Sequence, residues 1–150
     1  MADSMLLAGI TKMPVFEFEN AAFTPAPALK DATVAIVTTA GLSAPGGDGW
    51  KAADPGYRAF DRGDRSMRVG HLSPNFDHVG AIVDLNVVYP IDRLEELAAE
   101  GIIGGVAPRH FSFMGAQPDH TMETIRLDTA PAVGKMLRED GVDVVLLTPV

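Results

Sequence analysis

All four histidines of the chain, His71, His78, His110 and His120, fall between positions 71 and 120. Imidazole is the side chain whose charge changes near neutral pH, so this stretch is where proton transfer or metal ligation is to be sought. HLSPNFDH sets Asp77 beside His78, with His71 at the head of the segment. A carboxylate next to an imidazole suits a proton-transfer base and its orienting partner. His71, Asp77, His78 and His110 together could instead ligate a metal, although their spacing is neither HxxxH nor HExxH. The plainer reading is a polar loop whose Asn75 and Asp77 make local turn hydrogen bonds.

APRHFSFMGA, Ala107 to Ala116, sets Arg109 and His110 against Phe111, Phe113 and Met114. The aromatics and Met read as core filling in a buried connector. Arg109 suits bidentate recognition of a substrate carboxylate, and His110 is a second candidate for catalysis. VTTAGL offers the Thr38 and Thr39 hydroxyls, and backbone N–H groups near Gly41, to an anion. It is neither GxGxxG nor GxxxxGK[ST], so nucleotide binding is unsupported.

These residues need elements to hold them. ATVAIVTTAGL, Ala32 to Leu42, reads as the first strand. Ser43 to Ser66, rich in Gly, Pro and Asp, reads as a long loop, and Met67 to Ser73 as a second, shorter strand. YPIDRLEELAAEGII has the punctuation of a helix: Pro90 at its start, Asp92 in the first turn, Gly101 as the stop, and Ile91, Leu94, Leu97 and Ala98 on one face. A second helix is expected with Asp128 or Thr129 as cap, Pro131 in the first turn, Val133, Met136 and Leu137 on one face, and Gly141 after it. DVVLLTPV, Asp143 to Val150, then reads as a strand buried on both faces of a parallel sheet. Ligands of such sheets bind beyond the carboxyl ends of the strands, where Thr148 stands. The expected class is α/β, a three-layer domain with a mostly parallel sheet over residues 31–150, preceded by an extended arm over 1–30.

Composition narrows the function classes. The chain of 150 residues is 47% hydrophobic and 21% charged, enough for one globular domain. Its net charge of −8 weighs against nucleic acid or an anionic membrane as partner. Arg62, Arg65 and Arg68 are interleaved with Asp61 and Asp64 and read as a solvated polar loop. No apolar run approaches the roughly 18 residues of a membrane-spanning helix. Zero cysteines exclude disulfides and thiolate chemistry within these residues. With no recognisable export signal, a cytoplasmic protein is expected.

Several segments in order, VAIVTTAGL, FDH, NVVYPIDRLEELAAEGIIGGVAPRHFSFMG and DGVDVVLLTPV, resemble the selenoprotein B family, the B-type subunits of glycine, sarcosine, betaine and D-proline reductases. The resemblance runs from about Val34 to Val150 and is most specific over Asn86 to Gly115. It implies reductive cleavage of a C–N bond in an amino acid or its N-methylated derivative. It also implies a selenocysteine or cysteine directly after LLTPV, followed by Pro-x-Cys, so the domain is expected to be incomplete at its C-terminus relative to the family. A selenol is ionised at neutral pH and strongly nucleophilic, which suits that task. The implied partners are a small amino-acid-like carboxylate substrate, a subunit bearing a pyruvoyl group and a thioredoxin-like electron donor; a homo-oligomer is compatible.

On this reading Asp77, His78 and His110 are the catalytic candidates, and Thr38, Thr39, Gly41, Arg109 and Thr148 the substrate-binding ones. No metal and no cofactor is assigned to these 150 residues themselves, and without the redox residue they are expected to be inactive as a reductase. The alternatives are a non-catalytic ligand-binding or assembly domain and a His/Asp metal enzyme.

Overall fold

A computed structural model describes residues 23–150. Its centre is β1 (Thr33–Thr38), whose TVAIVT sequence is rich in the β-branched residues that suit a pleated, buried surface. β1 has parallel partners on both flanks. On one side β7 (Val144–Thr148) runs in register from Val34↔Val144 to Thr38↔Thr148. On the other, β5 (Gly105–Val106) and β6 (Arg109–Phe113) pair in succession, Val34 with Val106 and Val37 with Phe111. Between those contacts Ala35 and Ile36 face Ala107, Pro108, Arg109 and His110, so the partner strand bulges outward. β3 (Tyr57–Asp61) closes this flank antiparallel to β6. A separate ribbon pairs β2 (Leu42–Ser43) with β4 (Arg68–Val69).

Alternation along β1 sends side chains to two faces, and each face is covered by a helix. α1 (Val79–Val83) and α2 (Ile91–Ala99) lie on the side where Val34 and Ile36 meet Phe60, Val106, Ile91 and Leu94. On the other side α3 (Asp119–Thr124), a π-helical turn (Ile125–Thr129) and α4 (Ala130–Glu139) form one continuous helical run. There Val133 and Leu137 pack against Ala35, Phe111 and Phe113. Each fully buried Ile or Phe contributes about 1.5–3 kcal/mol of hydrophobic stabilisation. Helices on both faces of a mostly parallel sheet make the expected α/β architecture.

Gly101 (φ +70°) and Gly141 (φ +68°) end α2 and α4 in the left-handed conformation expected of helix stops. Of the three arginines expected in a solvated polar loop, Arg68 is exposed on β4, while Arg62 and Arg65, still partly solvent-facing, also pair with α2. Arg65 reaches Asp92 at 2.8 Å and Glu95 at 3.0 Å, and Arg62 reaches Glu95 at 3.0 Å.

Five expectations need correction. The 43–66 segment contains β3, whose Arg58 and Phe60 alternate with Tyr57 and Ala59 although its flanks are full of breakers. The strand expected at Met67–Ser73 shrinks to two residues outside the main sheet, because Gly70 turns against the Gly41 carbonyl. The connector carrying Arg109 to Phe113 is an inner strand. The second helical run begins at Asp119, so Thr129 is no cap; its hydroxyl donates to the Pro55 carbonyl at 2.9 Å. Finally, β7 lies at the sheet edge: its only strand partner among the described residues is β1, and Leu147 is 67% exposed. The first 22 residues of the expected arm lie outside the described residues; Phe23 to Lys30 are exposed.

Candidate active site at the strand ends

The carboxyl ends of β1, β6 and β7 meet at Thr39, Gly115 and Val150. Thr39 stitches them together. Its carbonyl accepts the Gly115 N–H at 2.9 Å. Its hydroxyl accepts the Val150 N–H at 2.9 Å and donates to the Val150 carbonyl at 3.3 Å. One residue earlier, the Thr38 hydroxyl donates to the Thr148 carbonyl at 3.2 Å and accepts the Ala40 N–H. The Thr148 hydroxyl donates to the Val88 carbonyl at 2.9 Å. Three hydroxyls proposed for a substrate are thus already bonded to main chain. They place the strand ends.

Gly41 is placed the same way. Its N–H donates to the Phe113 carbonyl and its carbonyl accepts the Gly70 N–H. Its positive φ of 60° and the close Met114 and His71 atoms leave no room for a side chain. This contact brings His71 to the strand ends.

His71 is 4% exposed. Its Nδ1 accepts the Ser73 N–H at 3.1 Å, which leaves the proton of the neutral ring on Nε2. That Nε2 finds no hydrogen-bond partner. It faces Gly115 so closely that a Cβ built there would lie 2.5 Å from it. Burial, and then the nearby His78, lower the His71 pKa and keep the ring neutral. Phe76 links the two imidazoles, with ring centroids 4.8 Å from His71 and 4.9 Å from His78. The His78 Nε2 is likewise buried without a partner. Asp77 turns away from that ring: its carboxylate accepts the Val79 N–H at the start of α1.

Beside this junction lies a cavity of about 400 Å³. Thr39, Gly115 and Val150 line it, together with Phe113, Met114, Met122 and Ile125. Ile125 begins the π-helical turn, a local widening of the helix that recurs at functional sites. A larger cleft of about 630 Å³, lined by Asp48, Lys51, Asp54 and Arg58, shares no residue with the strand ends.

Two candidates lie elsewhere. Arg109 makes a two-pronged ion pair with Asp140, both bonds 2.8 Å, beyond the end of α4. Its guanidinium is occupied by an internal carboxylate and faces the side where β7 begins. His110 is fully buried in the bulge, where its Nδ1 accepts the Ile36 N–H at 2.9 Å. Burial, and then the cations of Arg62 and Arg65, push its pKa down to about 4. Its ring meets Tyr89 edge-on at 5.6 Å, and both the His110 Nε2 and the Tyr89 hydroxyl lack partners. His120 is exposed on α3. Among the described residues no three His, Asp or Glu side chains converge as a metal site.

Missed by sequence reasoning were Gly115, just past the end of an unrecognised strand, and Met122 and Ile125, on a helical run that begins earlier than expected; Phe113 and Met114 were read only as core. His71 was noticed only as a metal ligand.

An α/β domain with its cavity at the carboxyl ends of parallel strands is the architecture of a ligand-binding or catalytic unit. The chain belongs to the glycine/sarcosine/betaine reductase selenoprotein B family, which matches residues 9–150. It is 37% identical over 123 residues to D-proline reductase subunit gamma of Acetoanaerobium sticklandii, covering 80% of this chain and 49% of that protein. It is 29% identical over 165 residues to glycine reductase complex component B subunit gamma of Carboxydothermus hydrogenoformans, covering 98% of this chain and 36% of that protein. The chain thus spans half or less of the length of these relatives. No solved structure matches it. No helix of the described residues is long and apolar enough to cross a membrane.

Proposed function

We propose that this chain forms the substrate-facing wall of a reductase subunit that cleaves a C–N bond in a small amino acid or its N-methylated derivative. The observation that carries this reading is the junction of Thr39, Gly115 and Val150 beside the apolar cavity, in a chain of this family. The cavity takes the aliphatic body of such a substrate. Its scale suits a molecule of a few heavy atoms with room for an approaching partner.

The selenocysteine or cysteine that the resemblance places after LLTPV would emerge here. The site fits it: Thr39 holds the Val150 main chain by two hydrogen bonds, and Val150 itself lines the cavity. When present, that residue supplies a strongly nucleophilic selenolate or thiolate. The residues of this chain direct it, and the cavity beside it offers a mainly apolar surface. His78, with its unpartnered Nε2, stays the candidate for proton transfer. A pyruvoyl-bearing subunit and a thioredoxin-like donor complete the proposed reductase, since both named relatives are subunits of larger enzymes.

The test is to express the gene with the sequence that follows codon 150, under conditions that insert selenocysteine, together with its neighbouring subunit genes. Thiol-dependent release of amine from glycine, sarcosine or betaine, or ring opening of D-proline, is the expected result. Binding of these carboxylates without turnover in the full assembly would instead establish a ligand-binding or assembly domain.

A further inference from the structure

β7 has the composition of an inner strand and the position of an edge. Val145 and Leu147 are 37% and 67% exposed, yet VVLLT carries neither a charge nor a proline of the kind that blunts a free edge. We infer that the outer edge of β7 is a docking surface for the length of subunit that both named relatives have beyond their match to this chain. It would be received as a parallel strand, with its crossover helix laid over Val145 and Leu147. This placement rests on membership of the family and not on the chemistry, so the reductase reading can stand where it fails.

Main chain, side chains and handedness together define what fits there. The Thr148 carbonyl bonds to the Thr39 N–H on β1. Successive residues of a strand turn their main-chain groups to opposite edges, so Val145 and Leu147 present theirs away from β1. Their side chains share one face. Ala35 pairs with Val145 and Val37 with Leu147, and Ala35 and Val37 belong to the cluster that Val133 and Leu137 of α4 cover. Beyond that cluster the same face of β7 is bare. The chain reaches β5, on one flank of β1, by way of α2 on one face; it reaches β7, on the other flank, by way of α3 and α4 on the opposite face. These two paths have the same hand, and crossovers between parallel strands are right-handed. A strand added outside β7 continues in the second direction, so its connecting helix must cross the α4 face. Val145 and Leu147 are the residues waiting on it.

Length selects the occupant. A parallel neighbour needs a crossover of a dozen or more residues, and the match to this chain covers only 49% and 36% of the two relatives. A second copy fits less well. Paired across a twofold axis, two β7 edges would run antiparallel and bring no helix over Val145 and Leu147, and each copy carries a net charge of −8.

The test compares the 150-residue chain with the product expressed together with the sequence that follows codon 150, under conditions that insert selenocysteine. Amide exchange and sedimentation are the readouts. The 150-residue chain should be a monomer in which the Val145 and Leu147 amides exchange freely while that of Leu146, turned toward β1, is protected. In the longer product both outer amides should slow on the order of a hundredfold. Leu147→Asp should leave the melting temperature of the 150-residue chain unchanged and return the outer amides of the longer product toward the free rate, whereas Leu147→Met should keep them protected. Free exchange at Val145 and Leu147 in the longer product, their protection in a self-associated 150-residue chain, protection that arises only on adding a neighbouring subunit, or the absence of a coding frame after codon 150 would each overturn the inference. Turnover by a longer product whose outer amides still exchange freely would sink this inference alone. Protected amides in an assembly that turns over nothing would sink the reductase reading alone.

Discussion

The Nδ1 of His110 accepts the main-chain N–H of Ile36 at 2.9 Å, in the middle of the sheet. Where the partner strand bulges away, β1 would lose a ladder bond, and an imidazole replaces the missing carbonyl. His110→Phe fills the same space without the acceptor and should cost about 1–3 kcal/mol, the penalty of an unsatisfied buried N–H. His110→Asn, which keeps an acceptor, should cost less. Urea unfolding of both variants measures the difference.

The same histidine sets a pH dependence. Its pKa, ordinarily 6.5, is pushed down to about 4 by burial and the nearby arginines, so the unfolded chain binds its proton first as pH falls. The stabilisation is full above about 6.5 and is lost as pH drops toward about 4, a swing of roughly 3 kcal/mol. Part of this slope should vanish in His110→Asn. Midpoints of chemical unfolding at several pH values provide the check.

Arg109→Ala should lower thermal stability, since Asp140, whose side chain is 11% exposed, loses a two-pronged partner. It should not selectively raise the KM for carboxylate substrates. A KM increase with unchanged melting temperature would restore Arg109 as the substrate anchor.

Two glycines should respond very differently to alanine. A Cβ on Gly104 would stand 2.5 Å from the Asp31 carbonyl carbon and 2.8 Å from the Ala32 nitrogen, both backbone, so Gly104→Ala should cost about 3 kcal/mol, the upper end for overpacking. Gly101 has open space but a φ of +70°, so Gly101→Ala should cost about 1–2 kcal/mol. Differential scanning calorimetry of the pair separates steric from conformational strain.

Thr39→Val removes the hydroxyl that both accepts from and donates to Val150. Amide exchange at Val150 should quicken on the order of tenfold, corresponding to one hydrogen bond, while exchange at Ile36 stays the same.

Much of this architecture was legible because its period was clean. Ile91 and Leu94, and Val133 and Leu137, recur at helical spacing, and the structure buries all four. The β-branched run of β1 and the stops at Gly101 and Gly141 were equally readable. Breakers hid β3: Gly56 precedes it and Gly63 follows it, and its pairing depends on a strand 50 residues later in the chain. In β6, Arg109 and His110 gave a polar start to a strand, because one pairs with Asp140 and the other repairs a bulge. Neither partner is visible in local pattern. At the strand ends, Thr38, Thr39 and Thr148 were found by type and place, but whether a hydroxyl faces a ligand or a neighbouring carbonyl is decided by tertiary contact. His71 needed tertiary contact as well: the nearby Ser73 N–H takes its Nδ1, but only the approach of Gly41 and Gly115 shows that its ring is packed at the strand ends.

The position of β1 also bears on how the molecule acquires its shape. Every strand that pairs with it, β5, β6 and β7, is encoded at least 70 residues downstream. On a ribosome β1 is made first among them and waits longest. Its Val34, Ile36 and Val37 stay without their final neighbours until the helical run and β7 have emerged. Loops this long must close before the pairing repays them, which makes sheet assembly slow and late in synthesis. A nascent chain of this kind spends its growth with an unpaired apolar strand on display, which makes it a natural client for chaperones that shield such segments.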